Sequence, residues 1–371
     1  MRFAPSLGVG LIGANRWARI AHVPAYTGTS GARLAAVCDI DRSRAEALAT
    51  QAAIPKIYTD YRELLADPEV QLVDVCTPTP THLQLSCDAI GAGKHVLCEK
   101  PLAERSADAF AAAAAADARG IRTKLGFAFR YSPALRGLHA KIADGSLGEI
   151  FHIHALAIDS HFPDRDFPLR HVPADAPRDR LLPSSIVSYG ATLADLMRWI
   201  GGEISFVCAS MRGRIPRRDE SAAPNGSPRG AIEEGTAAIV DFSSGAQGLL
   251  QTSYVALGNG PGIEIRVYGS NASAIARLTL EHGRTETLAL AGSDGEWTLV
   301  EPDLSAYPPG TDGATPWPLV YMPNLVRHFV AEIVDGGPPE CTFFDAAKSQ
   351  QIVDALVRSH HERAWIALAR T

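Results

Sequence analysis

Two groups of residues near the start of the chain have the types and spacing of a cradle for phosphate and ribose. The run Gly13-Ala14-Asn15-Arg16-Trp17-Ala18 follows a short apolar stretch, 9–12, and opens a helical pattern over 16–26. A turn of this kind points the unpaired backbone amides of a helix N-terminus at an anion. Asp39 ends the second apolar stretch, about two dozen residues further on, where a carboxylate accepts hydrogen bonds from ribose hydroxyls and repels a 2′-phosphate. The pair predicts a bound nicotinamide dinucleotide, NAD in preference to NADP; Arg42 and Arg44 lie close enough to leave NADP open.

A literal G-x-G-x-x-G also occurs, at Gly8-Val9-Gly10-Leu11-Ile12-Gly13. That register fails, because 9–12 is the strand itself and the motif works only where a strand gives way to a helix. Starting from Gly13, the second glycine position is Asn15 and the third is Ala18. Asn tolerates a left-handed backbone, but its side chain is expected to crowd the phosphates. Taken alone, the turn could be an ordinary strand–helix connection and Asp39 a capping residue. Their mutual register favours the cofactor.

The elements that must position these groups follow from periodicity. Apolar runs at 9–12, 34–37, 72–76, 96–98 and 122–126 alternate with helical patterns at 16–26, 42–52, 81–92 and 106–119. Such alternation predicts an α/β Rossmann domain over 1–125: a doubly wound parallel sheet with ligands at the C-terminal ends of its strands. The texture then changes. Residues 126–371 are read as a second α/β domain: a helix at 133–144, a strand at 150–158, a Pro/Asp/Arg-rich loop at 161–183 and a helix at 193–200. Strands follow at 204–211, 236–242, 246–255, 263–268, 274–279, 284–290 and 296–300, linked by turn residues that suit a mainly antiparallel sheet. A polar loop spans 214–230, and helices near 324–335 and 345–368 close the chain.

Composition narrows the class. With 46% hydrophobic and 20% charged residues a sizeable core is expected. A net charge of −6 argues against a nucleic-acid or anionic-membrane surface. No cationic stretch and long apolar run open the chain, so neither a secretory leader nor a membrane span is expected, and a cytoplasmic location is. None of the six cysteines has CxxC spacing; buried reduced thiols are predicted and a metal site is not.

Residues 73–103, VDVCTPTPTHLQLSCDAIGAGKHVLCEKPLA, resemble the glucose–fructose oxidoreductase / inositol dehydrogenase / rhizopine catabolism (Gfo/Idh/MocA) family, with AGKHVLCEKPLA the most specific part. RWARIAHVPAY looks like that family's first helix, FRYSPALRGLHAKIADGSLGEI like its domain-crossing segment, and the stretch from 326 onward like its closing helices. The resemblance implies a Rossmann domain plus a domain with a large open sheet that mediates homodimers or homotetramers. It also implies hydride transfer between nicotinamide and a sugar, sugar derivative or cyclitol. Carried over, Thr77, Pro78 and His82 lie beside the cofactor with Gly13, Ala14, Asn15, Arg16, Trp17 and Asp39. Glu99 contacts the nicotinamide ribose region, and Lys100 projects between nicotinamide and substrate. Pro101 shapes that turn, often after a cis bond. Arg130 and Tyr131 match a position near the substrate. Oxidising a secondary alcohol removes a hydride from carbon and a proton from oxygen, and a lysine at the hydroxyl can polarise it.

The second catalytic motif implied by the resemblance, Asp-x-Gly-x-His-x-x-Asp, is broken here. The corresponding stretch is Ser188-Tyr189-Gly190-Ala191-Thr192-Leu193-Ala194-Asp195, with Ser for the first Asp and Thr for His. Histidine is a good general base near neutral pH; a threonine hydroxyl only relays or hydrogen-bonds. Lys100 is expected to polarise the reacting oxygen, or to take its proton through a water or ribose relay, with Thr192 and Asp195 holding neighbouring hydroxyls in the catalytic set and Ser188 on the substrate. Tyr131, Tyr189 and His161 are alternative bases. Two other functions follow from the same break: a non-catalytic NAD-binding sugar sensor, and a glycosidase using tightly held NAD.

Overall fold

The computed structural model describes residues 6–160, 181–213, 232–280, 285–301 and 303–369. His161 and the loop at 214–230 lie outside them. Two compact units divide the chain: Met1–Ser132 with Leu304–Gln350, and Pro133–Asp303 with Gln351–Thr371.

In the first unit, six strands form one parallel sheet: β1 (Leu7–Ile12), β2 (Ala32–Cys38), β3 (Lys56–Tyr58), β4 (Leu72–Val75), β5 (His95–Cys98) and β6 (Thr123–Leu125), in the order β3-β2-β1-β4-β5-β6. This is the strand order of the dinucleotide-binding doubly wound sheet, with its switch point between β1 and β4. The helices Arg42–Ala52, His82–Gly91 and Ser106–Asp117 agree closely with their periodic patterns. Periodicity missed β3 and the helix Tyr61–Ala66, because three and six residues hold too few repeats to register.

The rejected glycine register has a packing explanation. Gly8 and Gly10 lie inside β1. A Cβ on Gly8 would sit 1.8 Å from the Glu69 carbonyl oxygen, and one on Gly10 2.6 Å from a Leu64 methyl. These glycines let the connection and helix before β4 close onto β1; they do not face a ligand turn.

Residues 304–350, assigned from sequence to the second domain, pack with the first. They carry the helix Pro318–Val334 and the start of the helix Phe343–Glu362. Lys124 on β6 is fully buried and anchors them. Its ammonium donates to Glu332 Oε1 (2.5 Å), the Glu340 carbonyl (2.7 Å) and the Tyr131 hydroxyl (3.0 Å). Sequence pattern gave no hint of this return, since the pairing spans some two hundred residues.

The second unit is built on a nine-stranded sheet. Its strands are β7 (Ile150–Ile158), β8 (Ile204–Arg212), β9 (Gly235–Phe242), β10 (Gln247–Ser253), β11 (Gly262–Gly269), β12 (Ser273–Thr279), β13 (Thr285–Ala291), β14 (Trp297–Val300) and β15 (Ile366–Ala367), in the order β14-β13-β12-β11-β7-β10-β9-β8-β15. All pairs are antiparallel except β7 with β10. The helices Pro133–Ala143 and Ala191–Gly201 cover one face. The alternating burial of β9 and β10 leaves the other face open. The last helix was expected to run to 368. It ends at Glu362, where Arg363 turns to a left-handed φ of 55° and frees β15 to pair with β8. Among the described residues no helix is long and apolar enough to cross a membrane, and the six cysteines are free thiols.

Candidate active site

The strand ends of the first unit bring the predicted cofactor residues together. Gly13 follows β1 with a φ of 103°, and a Cβ there would lie 2.1 Å from the Cys76 carbonyl oxygen, so only glycine fits. Asp39 ends β2. Its Oδ2 accepts from the Ala14 amide (2.8 Å) and its Oδ1 from the Asp41 amide (2.9 Å). The carboxylate is thereby aimed at the turn, with lone pairs remaining on both oxygens.

The Asn15 side chain bonds to the chain itself. Its Nδ2 donates to the Cys76 carbonyl (2.6 Å) and its Oδ1 accepts from the Ala18 amide (2.9 Å). The side chain caps the helical segment, a π turn over Ala18–His22 continued by Val23–Thr27, and ties it to the end of β4. Arg16 is exposed beyond it. A cavity of about 280 Å³ opens along the turn, lined by Ala14, Asn15, Arg16, Arg19, Arg44, Ala47, Leu48 and Gln51. A positive-φ glycine, a helix start with its cap in place and a carboxylate at the end of β2 fit the dinucleotide.

After β4, Thr77 is half-buried and Pro78 exposed. His82 is buried and clamps two strand ends: Nε2 faces the Thr77 carbonyl and Nδ1 the Pro101 carbonyl, each at 2.7 Å. Its place is to hold the turn after β5, where Glu99, Lys100 and a cis-linked Pro101 follow. Glu99 Oε2 accepts from the Lys100 amide (3.2 Å), and Oε1 from the Trp17 indole (2.9 Å). The Lys100 amine is held below its ordinary value by burial, against the opposing pull of Glu99. Arg130 is buried and faces Asp345 at 3.5 Å, and Tyr131 is buried with its hydroxyl on Lys124, inside the anchor of the returning segment.

The remaining predicted residues belong to the second unit. Ser188 and Tyr189 sit in a π turn, Ile186–Gly190, that runs into the helix Ala191–Gly201. Thr192 is buried, its hydroxyl directed back to the Ser188 carbonyl (3.4 Å), and Asp195 is buried one turn on. The Tyr189 hydroxyl donates to Asp159, and burial followed by that carboxylate drives its pKa far up, away from any base role.

Two positioning groups escaped the sequence reading. Glu233 is fully buried and accepts from the Ser184 amide (2.9 Å), the Ile186 amide (3.0 Å), the Ser185 hydroxyl (2.5 Å) and the Thr236 hydroxyl (3.0 Å), fixing the start of the turn that carries Ser188. His22, in the first unit, lies between Asp74 and Glu99. The signals were an acid inside the apolar run 72–76 and a histidine on the first helix, since a buried charge needs a partner.

Comparison with known proteins agrees with this geometry. A family model described as an oxidoreductase family with an NAD-binding Rossmann fold matches residues 7–127, and the GFO/IDH/MocA C-terminal domain model matches residues 135–275. The D-apiose dehydrogenase of Paraburkholderia graminis is 26% identical over 365 residues, covering 96% of this chain and 88% of that protein. The levoglucosan dehydrogenase of Pseudarthrobacter phenanthrenivorans is 26% identical over 331 residues, covering 83% and 82%. The crystal structure of an oxidoreductase domain protein from Kribbella flavida is similar with a TM-score of 0.83 at 27% identity, covering 99% of this chain and 100% of that one.

Proposed function

This chain belongs to the Gfo/Idh/MocA oxidoreductase family, and from that premise we propose that it oxidises a ring hydroxyl of a sugar, sugar derivative or cyclitol with NAD. One observation carries the reading: the Gly13 turn, Asp39 and Lys100 all stand at C-terminal ends of strands of one parallel sheet, at its ligand-binding edge. The names of the relatives, apiose and levoglucosan dehydrogenases, support a polyhydroxylated substrate.

When bound, NAD supplies the hydride acceptor. The amides after Gly13 and the Asp39 carboxylate would hold its pyrophosphate and adenosine ribose, and Glu99 its second ribose. Burial disfavours the charged form of the Lys100 amine, so a larger fraction is neutral and able to accept the hydroxyl proton. In this reading Thr192, Asp195 and Ser188 bind substrate hydroxyls, as the resemblance implies, and Arg130 and Tyr131, held by Asp345 and Lys124, are the further substrate candidates. The free cysteines suit the cytoplasm. The open sheet face, with Phe206, Ile239, Leu249, Trp297 and Leu299 exposed, would join copies of the chain, which light scattering of the eluted protein would reveal as a dimer or tetramer.

The test is the change in nicotinamide absorbance across a panel of polyols and anhydrosugars. Lys100→Met is expected to lower turnover about 10³-fold while calorimetric NAD binding persists. Undiminished turnover would remove Lys100 from the chemistry. Tight NAD binding with no turnover on any substrate would favour the sensor instead.

A further inference from the structure

The first unit contains a line of charged side chains that cofactor binding leaves unexplained. Asp74 lies in the middle of β4, fully buried, on the strand hydrogen-bonded between β1 and β5. A carboxylate in the centre of a parallel sheet is costly unless it is paired. Its partner is His22, also fully buried, whose Nδ1 stands 2.7 Å from Asp74 Oδ2. The other ring nitrogen, Nε2, stands 3.1 Å from Glu99 Oε1. Both contacts are therefore with carboxylates, which only accept. A neutral imidazole has one N–H and can satisfy one of them; the imidazolium satisfies both.

We propose that His22 is a positioning residue for the reaction: an imidazolium clamped between Asp74 and Glu99 that keeps the Glu99 carboxylate charged and seated beside Lys100. This rests on the reading of Lys100 given above. Glu99 has little freedom in this seat. Its Oε1 also takes the Trp17 indole, its Oε2 takes the Lys100 amide, and a Cβ on Gly126 would fall 2.9 Å from Oε1.

The electrostatics run the same way. For His22, burial lowers the pKa, but the Asp74 carboxylate outweighs it and holds the ring well above its ordinary value. For Glu99, burial works upward and is outweighed by His22, Trp17 and Lys100, leaving the carboxyl below its usual range. The other titratable groups facing the cluster are consistent with it. The Tyr26 hydroxyl is raised by burial and Asp74, and the Cys76 thiol is raised by burial, so both stay neutral. His22 thus acts on Lys100 through Glu99, without touching substrate or cofactor.

The direct experiment is nitrogen NMR of the histidine-labelled, NAD-bound enzyme at about pH 8, above the ordinary histidine range. Both His22 ring nitrogens are expected to be protonated, in the wild type and equally in Lys100→Met. A neutral His22 ring overturns the proposal, whereas loss of the Lys100 role alone leaves the signature intact. The kinetic arm uses His22→Gln, expected to lower kcat about 10²-fold, with a smaller rise in the KM for NAD because Glu99 also holds the second ribose. Adding Asp74→Asn removes the charge that His22 had balanced, so the double variant is expected to recover part of kcat. A double variant no better than the single, or a loss expressed only in the KM for NAD, would assign His22 to packing and overturn the proposal. Should His22→Gln not fold, the NMR of the wild-type protein still decides.

Discussion

The two units hold their polar residues in different ways. At the strand ends of the first, side chains bind one another and the backbone: Asp39 on Ala14, Asn15 on Cys76 and Ala18, Glu99 on Trp17 and Lys100, His82 across Thr77 and Pro101. In the second, two internal carboxylates hold the turn, Glu233 at its start and Asp159 on the Tyr189 hydroxyl, and the two changed motif positions on it and the helix beyond are small hydroxyls, Ser188 and Thr192. A network satisfied within itself tolerates little change, because each lost partner strands a buried polar group. Hydroxyls on a separately anchored turn can be exchanged at low cost. The contrast teaches that the polar groups at the strand ends of the first unit are constrained by folding itself, while hydroxyls such as Ser188 and Thr192 are free to diverge.

The comparison can be broken first at the anchors. Lys124→Met leaves Glu332 buried without its cation and is expected to cost about 3–5 kcal/mol in chemical unfolding. Replacing both partners by apolar residues should cost far less. Glu233→Ala, which removes the acceptor shared by two amides and two hydroxyls, is expected to cost about 3 kcal/mol. An equal loss of NAD affinity in both variants would erase the distinction between the units.

Asp39→Ala is expected to weaken NAD binding by about 10- to 100-fold and to narrow the preference over NADP, read by calorimetry. The pH dependence sharpens the same point. Burial lowers the Lys100 pKa, so turnover in the oxidative direction should rise with pH to a midpoint below the ordinary lysine value of 10.5, and Lys100→Met should lose that limb. The sign for His22 is opposite. Its folded-state pKa is raised, so its contribution to stability is complete below about pH 6.5 and is lost as pH climbs through the raised value. The difference in melting temperature between wild type and His22→Gln should therefore be widest in mild acid and narrow in base. The smallest effect is expected at Thr192→Val: turnover down about tenfold at most, NAD binding unchanged. A larger loss would make Thr192 more than a hydroxyl that holds substrate.

Much of this molecule follows from local pattern. The alternation of apolar runs and helical spacing carries the Rossmann strand order, because each strand–helix unit has one right-handed way to pack back on the sheet. The Gly13 turn and Asp39 were legible because their chemistry depends on backbone geometry and spacing along the chain. What pattern could not supply was pairing over long separations. The return of 304–350 to the first unit depends on Lys124 meeting Glu332, the hold on Ser188 depends on Glu233, and the setting of Glu99 depends on His22 reaching Asp74. Short elements such as β3 and β15 were invisible for a related reason, since their stability comes from neighbours in the sheet. Residue types and spacing settled which chemistry the chain can carry. Which buried charges meet was left to the tertiary fold, because a charge out of water is stable only beside partners that distant segments bring to it.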